Sequence, residues 1–185
     1  MNDQLVPGFD DEKDDSLKIR LQKVDQVDGC LVLYLTGYID TYNFNYFQKR
    51  VTKAVDAGFT RLVFHCAELN YVSSTGIGSF TAFLKAVKPR GGDLVLLEIQ
   101  PKVYEVFQLL GFSQFFNIKK DLDEAVAYFG EAGGGEQQAA RVGGRVERSR
   151  ALRGRGHTGG GRGVRVGAVA EERAHALRRE LLEVV

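Results

Sequence analysis

Tryptophan is absent, and methionine occurs once, cysteine twice and proline three times in 185 residues. Cys30 and Cys66 form no Cys-x-x-Cys pair and no metal motif, so both read as small buried apolar side chains. No apolar run approaches the ~20 residues of a membrane span. Met1 to Ser16 is acidic and lacks the apolar stretch of a secretory signal, so a cytosolic, thiol-reduced protein is expected. Lysine is missing after Lys120 and aromatic residues after Phe129. Residues 1–129 hold 14 basic and 17 acidic side chains (net −3), and residues 130–185 hold 11 basic, all arginine, and 7 acidic (net +4). One composition rarely switches this sharply inside a single domain.

These shifts divide the chain in three. Residues 1–15 are polar and acidic and read as a disordered lead-in. Residues 16–129 have the apolar content of a folded domain. Residues 130–185 are rich in glycine and arginine and cannot bury enough apolar area to offset chain entropy, so a disordered tail is expected. Only 169–185 regains a helical spacing, at Ala170, Ala174, Leu177 and Leu181. Arg153-Gly154-Arg155-Gly156 and Gly161-Arg162-Gly163 are similar to RNA-binding arginine-glycine segments. The small net charge and the missing aromatic stackers argue against nucleic acid as a partner.

Within 16–129, Leu17, Ile19 and Leu21 alternate with polar residues as in a half-buried strand. Asp28-Gly29 marks a turn, and Cys30 to Leu35 forms a second, antiparallel strand stopped by Thr36-Gly37. Phe44, Phe47, Val51, Ala54 and Val55 trace a helix face ended by Gly58, with Phe44 and Phe47 in the core. Arg61–Phe64 is a third strand and Asp93–Ile99 a fourth. Pro101 opens a helix stopped by Gly111, Phe115–Ile118 suits a short fifth strand, and Leu122–Phe129 a last helix. The order β-β-α-β-α-β-α-β-α predicts an α/β fold with a mixed, mostly parallel sheet of four to five strands.

The stretch that organises this domain is Tyr71-Val72-Ser73-Ser74-Thr75-Gly76-Ile77-Gly78. It follows an apolar run and precedes Ile77, Phe80, Leu84 and Val87, one face of a helix. A hydroxyl cluster at a helix start has two uses. It can cap free N–H groups, or carry a phosphate where those N–H groups and the helix dipole favour negative charge. The surroundings do not suit an enzyme: no nucleophile–base pair, paired carboxylates or metal cluster lies near the loop. Gly76-x-Gly78 lacks the third glycine of a dinucleotide fingerprint and the lysine of a P-loop, and Val72 breaks a Gly-x-Ser-x-Gly elbow. His65 has no second metal ligand at useful spacing and reads as structural. No cofactor or metal is expected.

Two motifs carry a resemblance. Leu35-Thr36-Gly37-Tyr38-Ile39-Asp40 is similar to the strand-end Leu-Thr-Gly-Glu-Leu-Asp of the STAS domain, the fold of bacterial anti-sigma factor antagonists. Val72-Ser73-Ser74-Thr75-Gly76-Ile77-Gly78 resembles that family's Met-Asp-Ser-Ser/Thr-Gly-Leu-Gly. Leu109-Leu110-Gly111-Phe112 is a weaker third match. The resemblance covers the folded part and none of the tail. It implies a phosphorylation switch: the unphosphorylated protein binds an anti-sigma factor that is also a serine kinase, phosphorylation ends binding, and a phosphatase resets it.

By position Ser74 takes the phosphate, with Thr75 and Ser73 as alternatives in the same hydroxyl run. The resemblance implies a partner-binding surface of Asp40, Tyr38, Ser73, Thr75, Gly76 and Gly78. Ser73 replaces the family's Asp and Tyr38 its Glu, which removes negative charge from the docking face. The competing reading is a STAS scaffold or sensory module without phosphorylation, in which Ser74 caps a helix and Asp40 caps the one before it.

Overall fold

The computed structural model describes residues 2–130. The tail expected over 130–185, its short helix and its arginine-glycine segments lie outside the described residues, except Gly130. The elements are α1 (Asn2–Leu5), β1 (Leu17–Lys23), β2 (Cys30–Ile39), α2 (Phe44–Asp56), β3 (Arg61–Val72) and α3 (Ser74–Val87). A 3-10 turn at Lys88–Arg90 leads to β4 (Asp93–Leu97), α4 (Pro101–Leu109), β5 (Asn117–Lys119) and α5 (Leu122–Gly130). The five strands lie in the order β1-β2-β3-β4-β5. β1 is antiparallel to β2, and the other pairs are parallel. This is the α/β architecture that alternating strands and helices predict.

Alternation along the strands gives the sheet two different faces. Leu33, Leu35, Phe64 and Leu96 are buried with α2, α3 and α4. The centre of that layer is aromatic: Phe64 of β3 lies 5.0 Å from Phe80 and 6.0 Å from Phe47, centroid to centroid. Phe80 also meets Phe107 of α4 at 6.0 Å. Edge-to-face packing of this kind adds to simple burial. On the opposite face, Val32, Val63, Val95 and Leu97 pack against Ala125 and Phe129 of α5. Buried Asp93 anchors that helix by accepting from the Tyr128 hydroxyl at 2.7 Å and from Lys88 Nζ at 2.9 Å.

The structure corrects four expectations. Residues 2–15 are not a disordered lead-in but a strap packed on the domain. Val6 and Phe9 are fully buried. The Asn2 side chain donates to Ile19 O and accepts from Leu21 N, occupying the outer edge of β1. Arg50 on α2 is also fully buried and donates to the carbonyls of Gly8 and Glu12. Burial tends to raise the Asp14 carboxyl, but hydrogen bonds from the Ser16 hydroxyl, the Ser16 and Leu17 N–H groups and Asn43 hold it below its usual range. Composition alone missed these long-range partners.

Second, Thr36-Gly37 does not stop β2, which runs on to Ile39. Gly37 has φ 114°, and a Cβ there would lie 2.0 Å from Ser16 O, so the glycine admits the incoming strap. Third, β3 extends eight residues past Phe64 through two register shifts. Fourth, Phe44 is only half-buried, while Phe47 is in the core as expected. The fourth and fifth strands differ from expectation only at their ends.

Candidate functional site

β2 and β3 run parallel to a common end. Ile39 pairs with Val72, and Ser73 N donates to Ile39 O at 2.8 Å. Asp40 and Ser73 therefore leave the sheet side by side. α3 begins at once. Ser73 is extended (φ −74°, ψ 166°) and its hydroxyl accepts from Gly76 N at 3.1 Å. That is the geometry of an N-cap, so the cap is Ser73 and not Ser74.

This assignment separates three adjacent hydroxyls. Ser73 is buried and committed to the cap. Thr75 is half-buried, and its carbonyl accepts from the Ser79 hydroxyl at 3.3 Å. Ser74 is exposed, stands in the first helical position and makes no side-chain hydrogen bond among the described residues. Helix-start N–H groups lack intrahelical partners, and the dipole there favours negative charge. The Ser74 hydroxyl is therefore accessible without breaking the cap.

The two glycines also differ. A Cβ on Gly76 would come within 2.7 Å of Ile39 Cγ2 and 2.9 Å of Val72 Cγ1. Gly76 is buried, and its missing side chain lets α3 sit against the strand ends. It shapes the surface and does not form part of it. Gly78 has nothing within 4 Å of the corresponding position, so the fold itself makes no demand for glycine there.

Asp40 is half-buried and accepts from Tyr42 N at 2.8 Å and Asn43 N at 3.1 Å, both through Oδ1. Asn43 Oδ1 accepts from Asp40 N in return, and Asn43 Nδ2 donates to Tyr38 O at 2.8 Å. Asp40 thus braces the turn before α2 but does not cap that helix, whose N-cap position is Asn43. Around it stand exposed tyrosines: Tyr42 at 93%, Tyr71 at 52% and Tyr38 at 43%. Tyr38 and Tyr71 are paired across β2 and β3. Sequence reasoning singled out Tyr38 and missed Tyr71, because β3 was expected to end at Phe64. Its pairing partner Tyr38 was the available signal.

On the far side, Gln100 Nε2 donates to Ala67 O at 2.6 Å, and Lys102 Nζ to Asn70 Oδ1 at 3.4 Å. The start of α4 is thereby tied to the end of β3. The weaker motif splits in the same way as the glycines: Gly111 (φ 72°) follows the end of α4, Phe112 is buried and Leu109 is exposed. Neither cysteine offers chemistry. Burial pushes the Cys66 thiol up to about 12. Burial also pushes Cys30 up to about 11, against the pull of Arg61. His65 meets Glu98 at 3.6 Å and packs tilted against Tyr34. Among the described residues there is no group of three or more metal-ligating side chains, and no helix is long and apolar enough to cross a membrane.

A model of the STAS domain matches residues 22–125, over half of the chain and centred on this site. The chain belongs to the STAS domain family. It is 32% identical over 106 residues to BtrV of Bordetella bronchiseptica, named as a candidate anti-sigma factor antagonist, covering 57% of this chain and 91% of that protein. It is 26% identical over 108 residues to the anti-sigma-B factor antagonist of Listeria monocytogenes, covering 56% and 88%. The solved structure of the anti-sigma factor antagonist SpoIIAA in its unphosphorylated form shares the fold, with a TM-score of 0.51 and 22% identity over 59% of this chain and 93% of that one. The STAS domain here is thus of the anti-sigma factor antagonist type, with Ser74 at the first position of α3.

Proposed function

We propose that this protein is an anti-sigma factor antagonist working by phosphorylation-controlled partner switching. Unphosphorylated, it binds an anti-sigma factor that is also a serine kinase. That kinase phosphorylates Ser74, binding ends, and a phosphatase restores the free hydroxyl. The observation that carries this reading is the division of labour at the start of α3: Ser73 caps the helix and Ser74 stands exposed beside it. The competing role for Ser74, a helix cap, is already filled.

A phosphate adds about −1.5 to −2 charges at neutral pH. The first turn of α3 tolerates that charge without refolding. The effect therefore falls on the partner, whose docked surface meets a new, strongly hydrated anion. Tyr38, Tyr42 and Tyr71 supply aromatic contact area at the rim, Asp40 presents its rigid turn, and Thr75 and Gly78 extend the surface along α3. Ser73 and Gly76 build this surface from beneath.

Phosphosite mapping by mass spectrometry on protein from its native cells tests the assignment. One phosphate on Ser74, absent from Ser74→Ala, is expected. A phosphate found instead on Ser73 or Thr75 would overturn the assignment, and none on any of the three under any growth condition would favour the unmodified scaffold.

A further inference from the structure

The second face of the sheet is covered only in part. α5 lies over Val32, Val63, Val95 and Leu97, while no other described element covers the adjoining half across β1, β2 and β3, where Lys18, Arg20, Thr36 and Glu68 are exposed. Parallel strands are ordinarily covered on both faces, and β2 and β3 are a parallel pair. The open half holds a shallow cavity of about 230 Å³. Its residues form two registered rows: Lys18, Thr36 and Glu68 in one, Arg20, Tyr34 and His65 in the other. They are already braced. Thr36 Oγ1 donates to Glu68 Oε2 at 2.7 Å, Arg20 lies 3.8 Å over the Tyr34 ring, and the Tyr34 ring packs tilted against His65 at 4.7 Å. Glu98 extends the second row, its carboxylate 3.6 Å from His65 Nε2. It is the only non-glycine residue at positive φ among the described residues, at 50°, a conformation uncommon enough to need a reason.

Charge on this face is divided. The cations Lys18 and Arg20 line the β1 flank and meet no carboxylate among the described residues. The carboxylates Glu68 and Glu98 line the β3–β4 flank, and a neutral spine of Tyr34 and Thr36 runs between. A patch of one sign fits a partner of the opposite sign. A patch divided about a neutral spine fits a second copy of itself, because a two-fold axis in the contact plane exchanges the flanks.

We propose that the open half of this face is a homodimer interface, with the two-fold axis along β2. The axis exchanges β1 with β3, so it sets Lys18 of one copy against Glu68 of the other, and Arg20 against the paired His65 and Glu98, in both directions. Thr36 and Tyr34 lie on the axis and meet their own counterparts. The surface is distinct from the Ser74 loop, so the proposal stands or falls apart from the switching function.

Sedimentation of the full 185-residue chain tests it. The wild-type chain is expected to form a dimer that Lys18→Glu/Arg20→Glu and Glu68→Lys/Glu98→Lys each weaken about 100-fold through like-charge contacts. An equimolar mixture of the two variants should recover the dimer, since each carries the charge the other lacks. Thr36→Arg, a separate exposed substitution that places two cations together on the axis, should also give monomer. A wild-type chain that stays monomeric at all concentrations, a dimer indifferent to these reversals, or a mixture that fails to recover would each overturn the proposal.

Discussion

The two halves of β3 obey different rules. From Arg61 to Phe64 the strand pairs regularly with β2 and β4 and is mostly buried on both sides. Past His65 it has left β4, shifts register twice against β2 and exposes Glu68, Asn70 and Tyr71. The first half is held by the layers on either side of it. The second half presents side chains and delivers the chain to Ser73 and Ser74. Bulges beside a functional loop re-aim side chains that a regular strand would bury. Core packing and the proposed switching surface are thus separated along one strand.

Substitutions can break or sharpen that contrast. The largest effect belongs to the buried half: Phe64→Ala should destabilise by about 3–5 kcal/mol in urea unfolding, because the emptied site lies among three rings. Gly76→Ala lies at the boundary. Its added methyl meets Ile39 and Val72, and overpacking should cost about 1–3 kcal/mol. Ser73→Ala removes the cap of α3 and should cost about 1 kcal/mol. Gly78→Ala should do the opposite on the exposed side. A helix-interior glycine costs roughly 0.5–1 kcal/mol relative to alanine, and open space surrounds the site, so the variant should melt higher while binding the partner less well. Equal partner binding by Gly78→Ala would remove that residue from the docking surface. Last, Ser74→Ala should leave stability within about 0.5 kcal/mol of wild type, as expected for an exposed side chain without partners.

The buried half was also the legible half. Leu62, Val63 and Phe64 form an apolar run that fixes a strand from sequence. Ile77, Phe80, Leu84 and Val87 fix α3, which runs to Val87 as that face predicts. Legibility fell where contacts were long-range or periodicity was broken. The polar stretch from His65 to Asn70 hides a strand because two bulges disrupt its alternation. The N-terminal strap looked like solvated chain because its partner, Arg50, sits some 40 residues away on a helix face otherwise lined by Phe47, Val51 and Ala54. At the site itself the hydroxyl run was visible, but the choice between Ser73 and Ser74 as cap depends on one backbone conformation that residue types do not specify. The same holds for Gly76 and Gly78, which look equivalent in sequence and differ in what a Cβ would meet.

The central claim is that Ser74 is a switch carried on a helix start that something else caps. Its most direct test is capture of the native partner from cell extract on immobilised wild-type protein and on Ser74→Ala, with and without ATP. Both forms should capture the same anti-sigma factor without ATP. With ATP the wild-type protein should acquire one phosphate on Ser74 and release that partner, while Ser74→Ala holds it. Retention by both forms with ATP, or equal release from both, would contradict the account.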